Sequence, residues 1–170
     1  MAVAQAIRLK RAVREFAPTP LPDEVVLNIL HAGRRAQSSK NTQPWHFIAI
    51  RQRESLIALS KLGTYAGHLA GAALGVAILT PDPSPRWSIA FDAGQAAAYM
   101  QLAAWEMGVG SCLATIYQPE AARALLGFAD DLHLHVALSF GYPVDPTVLT
   151  RPPRAGGRRP SDQCFHFEHW

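Results

Sequence analysis

The sequence predicts one compact domain that mixes α-helices with β-strands, and three observations point to it. The chain has 170 residues, enough to bury one sizeable core and too few for two comfortable ones. Hydrophobic residues make up 49% and charged residues 17%, a balance that excludes a disordered chain. Along the chain, apolar residues at helical spacing give way repeatedly to short β-rich runs bounded by Pro, Gly and Asn. The apolar runs at 69–79 and 96–104 are broken by Gly, Gln and Tyr before reaching spanning length, so a soluble protein with no membrane segment is expected. The opening MAVAQAIRLKRAVREF places its charges after a short apolar stretch with no convincing cleavage site, and the cytoplasm is the expected location.

The elements follow in order. Residues 1–15 read as a helix carrying Arg11 and Arg14 three apart, hence on one side, and Phe16 closes it. After Pro18, Pro20 and Pro22 a second helix begins with Asp23 and Glu24 in its first turn and Val26, Ile29, Leu30 and Gly33 at helical spacing. A polar loop leads through Pro44 into a buried strand at 46–50, since proline disfavours helical continuation. Residues 53–62 read as a helix, 63–70 as a loop or short helix, and 73–79 as a second buried strand. The PDPSP stretch is a loop. Residues 87–108 form a long helix whose small face, Ala93, Ala97, Met100, Ala104 and Met107, suits close packing. A third strand at 111–116, a helix at 119–127 with Pro at its start and Gly at its end, and a fourth strand at 132–142 complete the core. In that last strand Leu132, Leu134, Val136, Leu138 and Phe140 alternate onto one side. The remaining tail is rich in Pro, Gly and Arg but ends CFHFEHW, and such rings suit an arm that packs on its own domain or on a second subunit.

The formal charge of +3 is modest, yet basic residues gather at both ends: Arg8, Lys10, Arg11 and Arg14, then Arg151, Arg154, Arg158 and Arg159. Two such clusters suit an anionic ligand; two solvated basic tails are the simpler alternative. Nucleic acid is disfavoured, because no basic helix face carries interleaved aromatics. Cys112 and Cys164 lack motif spacing, so neither a disulfide nor a zinc site is expected. GVGSCL follows a helix where a dinucleotide fingerprint follows a strand, and GxxxxGK[ST], HExxH and GxSxG are all absent. Bound-cofactor chemistry therefore gains weight. His133 and His135 share a strand face without a third ligand, and Cys112, Tyr65, His68 and Tyr117 read as core or surface residues. QSSKNTQPWHF, at 37–47, differs. Ser38, Ser39, Lys40, Asn41 and Gln43 crowd donors and acceptors just before Pro44-Trp45, whose ring can brace the loop against the core. A polar helix end would explain the hydroxyls alone; the whole run fits a ligand with a polyol and a heteroaromatic edge.

The pattern R-[AS]-x-R-x-F at 11–16, S-x-x-N-x-Q-P-W at 38–45 and G-x-G-S-C at 108–112 resembles the nitroreductase-like flavoprotein family, along essentially the whole chain. The resemblance implies an α+β fold with a central, mostly antiparallel sheet of about four to five strands flanked by helices. It also implies a homodimer with an exchanged C-terminal arm, FMN bound in two pockets at the interface, and electron transfer from NAD(P)H to a small-molecule acceptor such as a nitroaromatic or quinone. By resemblance Lys10 and Arg11 approach the FMN phosphate with Arg158 or Arg159, and Arg14 reaches the pyrimidine edge, where a cation eases hydride acceptance. Ser38, Ser39 and Asn41 meet the ribityl chain and phosphate, from the same or the partner subunit, and Gln43 holds the loop. The backbone of Ala114, Thr115 and Ile116 lies near flavin N5. No catalytic side chain and no metal is implied. The chain departs from the family at Ala12, usually Ser, at Lys10, usually Arg, and at Gln37, often Pro. It is also short, which suggests an open pocket or one closed by the partner's tail. A flavin-sequestering protein without turnover, or a specialised reaction such as reduced-flavin fragmentation or dehalogenation, is the alternative.

Overall fold

The computed structural model describes residues 3–152 and 157–170. Four strands form one antiparallel sheet in the order β1-β2-β4-β3, with β1 at His46–Ile50, β2 at Leu74–Thr80, β3 at Gly110–Thr115 and β4 at His133–Gly141. Helix α1 spans Val3–Leu9, α2 Asp23–Arg34, α3 Arg53–Ser60, α4 Ser88–Glu106 and α5 Pro119–Leu126. The two inner strands explain the layering. β2 is buried along its whole length, and its period-2 alternation sends Leu74, Val76 and Ile78 to one face and Ala77 and Leu79 to the other. On the first face they meet α2 and α4 through Ile29, Ala97, Met100 and Ala104. On the second they meet Leu56 and Leu59 of α3, Ala122 of α5 and Leu69 of a 3₁₀ turn at Gly67–Gly71. The small residues foreseen on α4 are what let α2 and the sheet approach it closely.

Two expectations need correction. The first helix ends at Leu9 rather than running to residue 15, and residues 10–16 are extended. Ala12 bridges to Ser111 in parallel, Val13 N donates to Ser111 O at 2.9 Å, and Phe16 bridges to Pro143. Buried Val13 explains the switch: it packs directly on Gly110, where a Cβ would sit 2.7 Å from Val13 Cβ, so the β-branched side chain gains more as an addition to the sheet edge than on a helix. Arg11 and Arg14 consequently part company. The second correction concerns β4. Its register shifts opposite Ile78 and Leu79, so Val136, Leu138 and Phe140 face the α2–α4 core while Leu134 and Leu132 face the other. A bulge of one residue reverses the side on which every earlier residue falls.

The tail forms short 3₁₀ turns at Pro146–Leu149 and Ser161–Gln163 and lays none of its terminal rings on its own core. Phe165, Phe167 and Trp170 are 65%, 87% and 101% exposed. His166 and Trp170 stack on one another at 4.4 Å.

Between α3 and the end of β3 the chain passes through Gly63, where a Cβ would come 2.1 Å from the Thr115 carbonyl oxygen. Next to it Leu62 O accepts Tyr117 N–H at 2.8 Å. The crowded atom belongs to backbone and cannot rotate away. Gly63→Ala is expected to destabilise the protein by about 1–3 kcal/mol, read as a lowered urea midpoint with an unchanged m-value.

Candidate functional site

The extended segment after α1 gathers the basic residues. Lys10 Nζ donates to Gln101 Oε1 of α4 at 2.9 Å. Burial pushes the Lys10 ammonium below its ordinary pKa, and the Arg158 guanidinium acts in the same direction, opposed by Cys112. Arg11 uses Nε on Leu9 O at 3.1 Å and a terminal nitrogen on the Arg151 carbonyl. The N-terminal and C-terminal basic segments thus approach one another. Ala12 lies exposed beside them, and Arg159 continues on the exposed surface; Arg154 lies outside the described residues. Lys10 and Arg158 repel one another, so an anion placed between them relieves both, and a phosphate dianion fits this donor set.

Arg14 turns elsewhere, into an open cleft of roughly 540 Å³ that it lines with Glu15, Tyr65, Gly67 and His68. The cleft borders β3, whose Leu113 carbonyl approaches the His68 ring. In an antiparallel ladder successive residues point their N–H and C=O alternately toward and away from the partner. Ile116 N donates to His135 O at 2.9 Å, toward β4, and Ser111 O accepts from Val13, away from it. By the same alternation Thr115 offers its N–H outward, whereas Ala114 and Ile116 spend theirs on β4. Of the three backbone positions expected at a ligand, Thr115 is the one free to donate.

His68, read from sequence as a core or surface residue, is a buried polar member of this cleft. Its Nδ1 sits 2.8 Å from Ser139 Oγ, and that hydroxyl donates to Cys112 O at 3.3 Å. Burial lowers its pKa, the Leu113 carbonyl pulls the other way, and Arg14 lowers it further. Because the folded pKa lies below the unfolded one, the ring contributes nothing above the unfolded value near 6.5. As pH falls through that value the unfolded chain takes up a proton that the folded chain refuses. Wild-type stability is therefore expected to drop between about pH 7 and 5 more steeply than that of His68→Gln, in urea titrations at each pH.

The polar loop is well formed but lies apart. Ser38 Oγ accepts Gln43 N–H at 2.9 Å, Ser39 N donates to Asp92 Oδ2 at 3.0 Å, and Arg86 donates to Thr42 Oγ1 at 2.9 Å. Lys40, Asn41 and Gln43 hold φ of 53°, 54° and 47°, a conformation that such residues adopt only under constraint. Trp45, 7% exposed and stacked on Phe47 at 6.4 Å, braces the loop as foreseen. Asp92 anchors this loop to α4 and Gln101 anchors Lys10. Nine residues are two and a half helical turns, so the two anchors face opposite sides of α4 and lie about 14 Å apart along its axis. One chain brings Lys10, Arg11, Ala12 and Arg158 together, with Arg14 and Thr115 in the adjoining cleft, and leaves Ser38, Ser39, Asn41 and Gln43 on the far side. Gln101, Asp92, Ser139 and Arg86 carry no sequence signal as supporting residues; a lone carboxylate in the Ala-rich stretch of α4 is the one available hint, at Asp92.

His133 and His135 stack at 6.0 Å, and no cluster of three or more metal-capable side chains occurs among the described residues. None of the described helices is long and apolar enough to cross a membrane.

Comparison with known proteins decides the family. The nitroreductase family model matches residues 7–68 and 60–142. The chain belongs to the nitroreductase family. A relative from Archaeoglobus fulgidus, whose name proposes NADH dehydrogenase/NAD(P)H nitroreductase activity, is 32% identical over 148 residues, covering 82% of this chain and 84% of its own. The FMN-dependent nitroreductase of Clostridium difficile R20291 superposes with a TM-score of 0.82 at 26% identity, over 98% of this chain and 99% of that one. The NADPH:FMN oxidoreductase of Vibrio harveyi shares the fold at a TM-score of 0.84 and 21% identity, with 99% of this chain matching 77% of that longer one. As a nitroreductase family member the protein is an oxidoreductase, and its antiparallel sheet flanked by helices is the family's α+β fold.

Proposed function

We propose that this nitroreductase is an FMN-dependent NAD(P)H oxidoreductase that passes hydride to nitroaromatic, quinone or similar electrophilic acceptors. The observation that carries the reading is that Arg158 approaches near enough to Lys10 to lower its pKa, on a chain segment whose next arginine, Arg14, lines a cleft with Tyr65 and His68. FMN, when bound, supplies the hydride-accepting chemistry. Lys10 and Arg158, with Arg159 beside them, would hold its phosphate; Arg11, whose guanidinium is engaged with two carbonyls, ties the C-terminal segment to this site. Arg14 would place positive charge at the heteroaromatic edge, and Thr115 N–H would offer a fixed donor on the β3 side. Ala12 leaves that side without the hydroxyl that family members carry there.

The 38–43 loop completes such a site from a second copy of the chain. Support for two copies comes from the opposite placement of Asp92 and Gln101 on α4, from the exposed Trp87, Phe91 and Tyr99 on the same helix and its N-cap, and from the uncovered rings of the tail. Ser38 serves the loop's own backbone, leaving Ser39 and Asn41 to face a ligand.

The test is the absorption spectrum of the purified protein, taken anaerobically before and after NADH or NADPH. Flavin bands that bleach with one of the two support the oxidoreductase and name its donor. Bands that neither nicotinamide bleaches would favour a flavin-sequestering protein, and a protein that stays colourless after incubation with FMN would overturn the cofactor assignment.

A further inference from the structure

We propose that Tyr65 determines acceptor specificity in the Arg14 cleft: its ring is an aromatic platform on which planar, electron-poor acceptors lie, so the protein favours ring-bearing acceptors over those without a ring. The inference rests on the flavin reading of this cleft and deepens it by naming the side chain that selects the acceptor.

Exposure and rigidity together carry it. Tyr65 lines the cleft with Arg14 and is 82% exposed. Among the described residues its ring stacks on no other ring and its hydroxyl holds no hydrogen bond. The turn that bears it is nevertheless fixed on both sides. Before it, Leu62 O accepts Tyr117 N–H at 2.8 Å, and Gly63 lies so close to the Thr115 carbonyl that no side chain fits there. After it, Ala66 N donates to Gly63 O at 3.1 Å, Leu69 N donates to Ala66 O at 2.9 Å, and both Ala66 and Leu69 are fully buried. A solitary exposed aromatic on a loose loop needs no explanation. One whose backbone is pinned beside a cleft presents its face at small entropic cost, because a tyrosine has only two side-chain torsions to settle.

The chemistry of the ring names its ligand. Lys10 and Arg158 serve the phosphate and Arg14 the heteroaromatic edge, whereas Tyr65 stands on a different segment, in the turn after α3, and brings an uncharged π-face. The other side chains of the cleft offer no such surface, since His68 is buried and Glu15 ends in a carboxylate. The face of a phenol ring carries partial negative charge, so it stacks best on a ring that is poor in electrons, as nitroarenes and quinones are. The cleft, roughly 540 Å³ and open to solvent, is of the size small-molecule sites have and leaves an acceptor a way in. Stacking of this kind holds the acceptor equally before and during hydride transfer, so it acts on capture and leaves the limiting rate alone.

The experiment follows anaerobic reoxidation of the reduced, FMN-loaded protein by stopped flow, wild type against Tyr65→Leu and Tyr65→Phe, with 1,4-naphthoquinone, 1,4-dinitrobenzene and ferricyanide as acceptors. Reoxidation is watched apart from the donor step, so nicotinamide binding does not enter. Tyr65→Leu is expected to lower the second-order rate constant for the two ring-bearing acceptors about three- to tenfold at an unchanged limiting rate, and to leave that for ferricyanide, which has no ring, within about twofold. Tyr65→Phe, which keeps a ring, should stay near wild type. The side chain is exposed, so each variant is expected to fold. Equal losses with all three acceptors, or no loss with the ring-bearing pair, would overturn the proposal. So would a weakened FMN affinity in Tyr65→Leu, which would give the residue to the cofactor instead. A protein that takes up no FMN fails earlier, at the cofactor reading, and takes this inference with it.

Discussion

Replacing Lys10 and Arg158 together by alanine is expected to leave a folded, colourless protein. Each cation would contribute a charge-assisted hydrogen bond to the phosphate, worth about 1.5–3 kcal/mol, so the pair together should weaken FMN by roughly two to four orders of magnitude. The apoprotein should not suffer. Lys10 is half-buried with its pKa depressed, first by burial and then by Arg158, so the two cations oppose folding when no anion lies between them. Losing both removes that repulsion along with the Lys10–Gln101 hydrogen bond, and the urea midpoint of the apo variant should stay close to wild type. Equilibrium titration with FMN, followed by fluorescence quenching, reads the affinity. An unchanged affinity would move the phosphate away from this cluster. Arg11→Ala makes the useful contrast: its guanidinium holds the Leu9 and Arg151 carbonyls, so its loss should loosen the tail and weaken FMN less.

The basic ends were legible in the sequence because charge clustering survives any folding, and NxQPW because a proline and a buried tryptophan constrain the chain wherever they stand. The strands were legible for the same local reasons, since β1 at His46–Ile50 needs nothing beyond its own β-branched and aromatic residues and the proline before it. What could not be read were features set by a distant partner. Residues 10–16 have a helical composition, and only Gly110, a hundred residues on, makes the extended form better by admitting Val13 to the edge of β3. The bulge in β4 likewise depends on pairing with β2, and no alternation count within β4 can reveal it. His68 looked like an isolated polar aromatic because its lock, Ser139, lies 71 residues away on β4. Sequence periodicity speaks for contacts within a turn or two, so the polar support of a site built across the sheet stays silent until the sheet is drawn.

Mixed dimers should restore a flavin site that neither parent variant holds. Asp92→Ala removes the acceptor that fixes Ser39 N–H, in a loop whose Lys40, Asn41 and Gln43 already sit in strained left-handed backbone; with strain of about 1–3 kcal/mol per such residue, the loop should relax once its anchor goes. Alanine is the best helix former, so α4 itself should persist. The Asp92→Ala homodimer is then expected to bind FMN about tenfold or more weakly, a loss of 1.4 kcal/mol or more. The Lys10→Ala, Arg158→Ala homodimer fails for the other half of the site. Because Asp92 and Gln101 face opposite sides of α4, the cations of one chain would meet the loop of the other, and a mixed dimer would own one site with both halves intact and one with both halves damaged. Refolding the two variants together and purifying the mixed species by differential tags should give one FMN per dimer at near wild-type affinity. Should both halves of each site belong to a single chain, every site in the mixed dimer would carry one defect, and no tight flavin would appear. Stoichiometry near one therefore assigns the loop to the partner subunit, and stoichiometry near zero returns it to its own.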